Sequence, residues 1–443
     1  MWLYGRPNGR VSSAAVGERV KQIPRRAPGA RAIAARVLES VESDRGSRAP
    51  ELLARELGSA RVADPRERGL ATELVYGVLR QERRLDHTLG PLVRQGLTKL
   101  EPMARVLLRL GAYQILMLDR IPAPIAVSAT QDAARQIGAG RLTGLLNGVL
   151  RKVAALGEQL PSGADVASLG VRASLPDWVV RELVKAYGAD AEAEGMALRE
   201  RAPTTIRPTL GKGGADACAV ALAAEGFTAA PGPHHTLVVT GPGDPFATKA
   251  FMDGLFVPQD PASLAVVELL GDVAGRRVAD LCAGRGLKAT ALADRGAEVM
   301  ALDLSGSKLD ALNALARNLG LAERITTRVA DLAARPPEVG AFDLVLVDAP
   351  CTGLGTLRRH PEIAWRRTSA DLASLTALQA RLISNAAQLV APGGALVWAV
   401  CSFARAEGTP PLPLGFVEEE RLDLRPSAGL DAFQARRLRR GPA

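Results

Sequence analysis

The sequence predicts a multidomain chain: an all-α domain, then a small α+β connector, then an α/β Rossmann-like domain. Three observations carry that order. Apolar residues recur at helical spacing from Arg31 to about Leu156. Residues 157–258 mix helical and β-like runs among clustered Gly and Pro. From residue 259 onward, apolar runs alternate with helical stretches, the pattern of a parallel sheet covered on both faces. The length of 443 residues also exceeds one compact domain, which usually holds about 100–200 residues.

Residues 1–30 are basic, rich in Gly, Pro and Ser and without periodicity, and read as a flexible tail. In 31–156, Ile33, Val37, Leu38 and Val41 line one helix face. Leu70, Leu74, Val75, Val78 and Leu79 repeat the spacing, as do Met103, Val106, Leu107, Leu110 and Tyr113. Pro122-Ala123-Pro124 punctuates before the next helix. Short connections between such helices predict a bundle. In 157–258, helices are expected around Trp178–Tyr187 and Ala215–Glu225, with a β-like run at Thr236–Val239. In 259–443, strands are expected at Arg277–Cys282, Glu298–Leu304, Ile325–Ala330, Phe342–Val347 and Ala395–Cys401. The helical stretches between them include Ser307–Leu319 and Ala370–Val390.

Composition narrows the class. With 47% hydrophobic and 23% charged residues, the chain can bury a core and is not a disordered one. Charge interrupts every long apolar run before about 18 residues, so no membrane span is expected. The opening Met1-Trp2-Leu3-Tyr4-Gly5-Arg6 lacks a signal peptide's apolar stretch. Four cysteines, Cys218, Cys282, Cys351 and Cys401, form no CxxC pair, and there are four histidines. A disulfide framework and a bound metal are therefore not expected, and a cytoplasmic location is. Residues 1–155 hold 26 Lys+Arg against 14 Asp+Glu, or +12, while 156–443 hold 30 against 33, or −3. A basic N-terminal third is a footprint for a polyanion, although a solvated Arg-rich surface has the same composition.

Two motifs carry chemistry. Val278-Ala279-Asp280-Leu281-Cys282-Ala283-Gly284-Arg285-Gly286-Leu287-Lys288 reads as a strand, a Gly-containing turn and a helix start. Such a turn lets a ligand approach backbone N–H groups. Asp303 closes the next strand, where a carboxylate can accept ribose hydroxyls. Gly284-x-Gly286-x-x-Ala289 also fits the loose dinucleotide fingerprint and does not separate NAD from S-adenosylmethionine. The second motif, Phe342–Cys351, puts Asp348 and Cys351 past the end of one strand, and Ala395–Ser402 puts Cys401 at the end of another. Ligands of open α/β sheets bind outside those ends. A single cysteine there is usually a small buried hydrophobe; two beside a cofactor turn suggest chemistry.

Asp348-Ala349-Pro350-Cys351-Thr352-Gly353, followed by Arg358-Arg359-His360-Pro361-Glu362-Ile363-Ala364-Trp365, resembles the RNA cytosine-C5 methyltransferases. More narrowly, it is similar to the RsmB (Sun/Fmu)-type 16S rRNA enzymes. Gln259-Asp260-Pro261-Ala262-Ser263 and Asp431–Leu438 match other segments of that family, while Ala71–Arg80 and Leu145–Arg151 resemble its NusB-like RNA-binding domain. The resemblance covers about residues 31–443. It implies that Cys282, Ala283, Gly284, Arg285, Gly286, Leu287, Lys288, Asp303, Asp331 and Asp348 surround S-adenosylmethionine. It further implies Cys401 as the nucleophile and Cys351 as the residue that aids product release. Asp348 would hold the cytosine edge, and Lys288 would help keep a thiolate. The implied partner is 16S rRNA or a small-subunit assembly intermediate, met by a monomer.

The chain departs from the family pattern Cys-Ala-Ala-Pro-Gly-Gly-Lys-Thr at Gly284, Arg285, Leu287 and Ala289. Leu287 is expected to restrict the backbone where a glycine is free, which bears on cofactor affinity. Val400 replaces a threonine before Cys401, Ala406-Glu407-Gly408 stands where the family usually has Glu-Glu-Asn, and a Pro-rich stretch at 409–413 leads to a shortened C-terminal part. Two rivals follow: an RNA-binding assembly factor without turnover, and an NAD-dependent oxidoreductase. The second leaves Cys351 and Cys401 unused.

Overall fold

The structure is a computed structural model and describes residues 28–44 and 48–442. Most of the expected tail, residues 1–27, lies outside the described residues, and Ala30 already opens the first helix. Two compact units are present, Met1–Leu160 and Pro161–Ala443.

In the first unit the described residues form seven α-helices: Ala30–Ser43, Ala49–Ser59, Pro65–Arg80, Glu82–Leu89, Pro102–Met117, Ala123–Gln136 and Thr143–Leu156. Prolines at the first turn start several of them, where no N–H is lost. Asp64 adds a cap by accepting from the Arg66 N–H at 2.8 Å. The spaced apolar faces meet in one core, with Ile33, Val37, Leu74, Val78, Leu107 and Leu110 buried and Leu70 and Met103 at its margin. Arg109, buried among these helices, spans both Asp86 oxygens at 2.7 Å and reaches Glu42 and Glu82 at 3.2 Å. Burial opposes its charge, but these carboxylates outweigh it and raise its affinity for the proton.

The second unit opens with helices Val166–Ala173, Asp177–Tyr187 and Ala191–Ala197. A small antiparallel sheet follows, made of β1 (Thr205–Pro208), β2 (Thr228–Pro231), β3 (Leu237–Thr240) and β4 (Phe256–Pro258) in the order β2-β3-β1-β4. Its own core gathers Ile206, Cys218, Leu222, Phe227 and Phe256. The three helices pack elsewhere: Leu169, Val180 and Leu183 share a core with Leu354, Leu357, Phe403 and Ala404. They therefore brace the loops that follow two strands of the large sheet.

That sheet comprises β5 (Arg277–Asp280), β6 (Glu298–Asp303), β7 (Ile325–Val329), β8 (Phe342–Asp348), β9 (Val390–Val400), β10 (Phe416–Leu424) and β11 (Phe433–Arg440). Its order is β10-β11-β9-β8-β5-β6-β7. β5 to β9 run parallel, and β11 is antiparallel to both β9 and β10. Alternate residues bury on opposite faces, as a strand covered on both sides requires. Leu344, Leu346, Val397 and Ala399 join one core, while Val345, Val347, Leu396 and Trp398 join the other. β9 begins five residues earlier than the apolar run suggests, because Val390 already pairs with Phe342 before Ala391-Pro392-Gly393-Gly394 shifts the register ahead of Leu344. Chain order reverses between β5 and β8, so the crevice at their carboxyl ends is the expected ligand site.

Candidate active site

The turn after β5 is built for close approach. Gly284 and Gly286 have φ of +57° and +85°, values that favour glycine. Gly286 precedes the helix Leu287–Asp294, and a Cβ there would lie 2.3 Å from the Leu312 side chain. Leu287, expected to restrict the backbone, is the first residue of that helix, and its φ is not positive. A side chain costs nothing extra in that conformation. Both left-handed positions of the loop are still glycine.

Asp303 ends β6 with its side chain buried. It accepts from the Gly284 N–H at 3.0 Å and the Ser305 N–H at 2.8 Å, and Lys308 stands 3.5 Å away. A carboxylate has about four acceptor sites, so capacity remains for ligand hydroxyls. Asp331, just beyond β7, is exposed and caps a turn by accepting from the Ala333 N–H at 2.9 Å. Asp280 is a group the sequence reading passed over. It ends β5 with both carboxyl oxygens buried and without a well-formed hydrogen bond. Burial, then the Asp348 charge, pushes it up to about 7, against the pull of Lys288 and the Cys282 N–H. Its one signal in the sequence is an acid set between the apolar Val278-Ala279 and Leu281. Cys282 is half-buried, and desolvation followed by Asp280 pushes its thiol far up. Arg285 is exposed beside the turn, and Ala283 is buried in the core beneath it. A turn left-handed at two glycines, with open space beside Gly284, and a buried acid on each of two adjacent strand ends fit S-adenosylmethionine.

The two thiols meet. Asp348 pairs in register with Ala399, so Cys351 lies three residues past β8's pairing point and Cys401 two past β9's. Their sulfur atoms are 3.3 Å apart, and both cysteines are free thiols. The Gly355 N–H donates to the Cys401 carbonyl at 3.0 Å, which ties the loops together. Cys351 is pushed well above the ordinary thiol range, first by its hydrogen bond to Cys401 and then by burial. Lys288, buried, donates to Asp348 at 2.6 Å and lies 5.3 Å from the centre of the Phe433 ring. Burial works against its charge, but Asp348, with Cys401 a smaller contributor, raises it overall. The ammonium is thus bonded to the carboxylate.

Tertiary packing adds partners that spacing did not reveal. The fully buried Glu407 accepts from the Thr352 N–H at 2.7 Å, the Thr352 hydroxyl at 2.5 Å and Gln379 Nε2 at 3.4 Å. Gln379 also donates to the Pro350 carbonyl at 2.9 Å. Val400, in place of a threonine, is buried in the core. Three segments that carry the resemblance converge as well. Arg359 bonds Asp260 and reaches Asp431 at 3.1 Å, and Asp260 caps the helix Pro261–Glu268. Burial, then Asp260, pushes Asp431 up to about 6.

A sheet of this order, with a glycine turn after its first parallel strand and an acid at the end of the next, defines a Rossmann-like S-adenosylmethionine-dependent methyltransferase. Residues 267–413 match the model of the 16S rRNA methyltransferase RsmB/F family, and residues 28–155 match that of the NusB family. The chain is 37% identical to the ribosomal RNA small subunit methyltransferase B of Thermus thermophilus, over 93% of this chain and 97% of that protein. It is 32% identical to a probable ribosomal RNA small subunit methyltransferase B of Bacillus subtilis, over 77% of this chain and 78% of that one. The chain belongs to the RsmB/F methyltransferase family. Among solved structures, that of PH0851 matches with a TM-score of 0.76 at 21% identity, covering 92% of this chain and 98% of that one. NSun6 from Pyrococcus horikoshii with SFG matches at 0.53 and 17%, covering 60% and 99%. Both share the fold.

Proposed function

We propose that this protein methylates C5 of a cytosine in 16S ribosomal RNA through a covalent adduct between Cys401 and C6 of the base. The observation that carries the reading is the pair of thiols 3.3 Å apart at adjacent parallel strand ends. The cofactor turn, Asp348 and Lys288 stand beside them. The names of the relatives support ribosomal RNA as substrate.

The chemistry explains why two thiols are useful. Cytosine C5 is too electron-poor to take a methyl group directly. Adding the Cys401 thiolate to C6 breaks the 5,6 double bond and leaves the electron pair on C5. Bound S-adenosylmethionine supplies an electrophilic methyl on a sulfonium; residues 282–288, Asp280, Asp303 and Asp331 would hold it. Asp348 would accept from the cytosine N4 amino group and steady the adduct, while Lys288 keeps that carboxylate oriented. C5 must then lose its proton as the C6–sulfur bond breaks and the double bond returns. Cys351 would assist that release. The base has to leave its stack to reach the site, which suits single-stranded or loop RNA.

We read the chain as a cytoplasmic monomer. Its RNA-binding part is 31–156, its connector 157–258 and its catalytic part 259–443. No helix among the described residues is long and apolar enough to cross a membrane.

Methyl transfer to unmodified 16S rRNA tests the reading. Cys401→Ala should fall to background while S-adenosylmethionine still binds; substantial turnover by that variant refutes the nucleophile role. Cys351→Ala should accumulate an RNA–protein adduct that survives denaturing electrophoresis and is missing from the double variant. Failure of the cofactor to bind at all would favour a non-catalytic assembly factor.

A further inference from the structure

The charges around the thiol pair are not symmetric. Lys288 is taken up by Asp348 at the end of β8, to which it donates at 2.6 Å. On the Cys351 side stands Glu407, fully buried, with donors from Thr352 and Gln379 converging on its oxygens. Thr352 directly follows Cys351, so the bonds from its N–H and hydroxyl to Glu407 locate the Cys351 backbone. The Glu407 carbonyl also accepts from Trp398 Nε1 at 3.2 Å, and Trp398 lies in β9 three residues before Cys401. One residue therefore fastens both strand ends that carry the thiols.

We propose that Glu407 is a positioning residue that makes the two cysteines unequal, because its carboxylate is held against the backbone next to Cys351 and makes no such bond next to Cys401. The inference rests on the attack and release roles argued above, and it supplies the reason for that division. Two equivalent thiols at 3.3 Å would compete to be the thiolate, because ionising one disfavours ionising the other. Besides Cys401 and burial, the groups that push Cys351 up are Glu407 and Asp348, in that order. With Glu407 on one side, Cys351 stays the protonated member, able to exchange a proton during release, and Cys401 is left to attack.

Alkylation by iodoacetamide, followed residue by residue by mass spectrometry across pH, tests this on the full chain without RNA or cofactor. The pair is uncoupled by measuring Cys351 in a Cys401→Ala background and Cys401 in a Cys351→Ala background, each with and without Glu407→Gln. Glu407→Gln should lower the Cys351 midpoint by about one pH unit, a roughly tenfold rise in reactivity below the midpoint, and move Cys401 much less. The midpoint is the deciding quantity, since a merely loosened loop would speed alkylation at every pH and leave it unmoved. An unmoved Cys351 midpoint, or equal movement of both thiols, overturns the proposal. Should the glutamine variant not fold, Glu407→Asp carries the test with a smaller shift of the same sign. Turnover by Cys401→Ala would sink the catalytic reading instead, whatever the alkylation shows.

Discussion

At the scale of single residues, Asp280 is where burial and chemistry conflict most plainly. An unfolded aspartate ionises near about 4, whereas this one holds its proton to about 7 because burial and Asp348 disfavour the charge. The folded state therefore binds more protons than the unfolded one across that window. Stability contributed at this site is present below about pH 4 and is lost as pH rises towards 7. Asp280→Asn keeps the shape without a titratable proton. Urea denaturation at pH 5 and pH 7.5 should show wild type losing more stability than the variant over that interval, by a difference on the order of 1–4 kcal/mol. Equal losses in the two proteins would remove the buried acid from the account. An acid ending a strand is visible in sequence, but what it meets is not: the Asp348 that perturbs it lies 68 positions away.

At the scale of elements, the β5–turn–helix unit shows why glycine count alone misleads. The family pattern has consecutive glycines, and this chain has Gly286 followed by Leu287. The backbone turns left-handed at 284 and 286 and is helical from 287, so the substitution falls where no freedom is needed. Gly286→Ala, by contrast, would force a Cβ into Leu312 in a left-handed conformation. It should destabilise the protein by about 1–3 kcal/mol and weaken S-adenosylmethionine binding. Thermal unfolding and equilibrium titration measure the two effects, and unchanged values for both would contradict the close approach described here. The helices of 166–197 make a related point. Only the middle one, around Trp178–Tyr187, was expected from helical spacing, and packing alone shows that all three support the loops after β8 and β9 rather than the small sheet.

At the scale of the whole molecule, charge is divided along the chain. Residues 1–155 carry the +12 excess, and Arg94, Lys99, Arg151 and Lys152 are exposed within it. If these side chains meet phosphates, replacing all four by Gln should weaken RNA binding and reduce the slope of log affinity against log salt by up to about 3. S-adenosylmethionine affinity should stay the same. An unchanged salt slope would mean that this surface is solvated but does not hold RNA.

The sequence by itself determined the alternation of elements, the two glycines of the cofactor turn and both cysteines, because each is a local property. Periodicity sets which face of a segment can be buried, and a left-handed φ favours glycine wherever the chain goes next. Tertiary structure alone decided that Cys351 and Cys401 face each other across 50 positions. It alone brought Asp260, Arg359 and Asp431 into one ion-pair cluster and set Glu407 beneath the thiol loops. Those contacts depend on which strands pair and in what register. Pairing is settled by the combined burial of both faces of the sheet, which no single segment encodes.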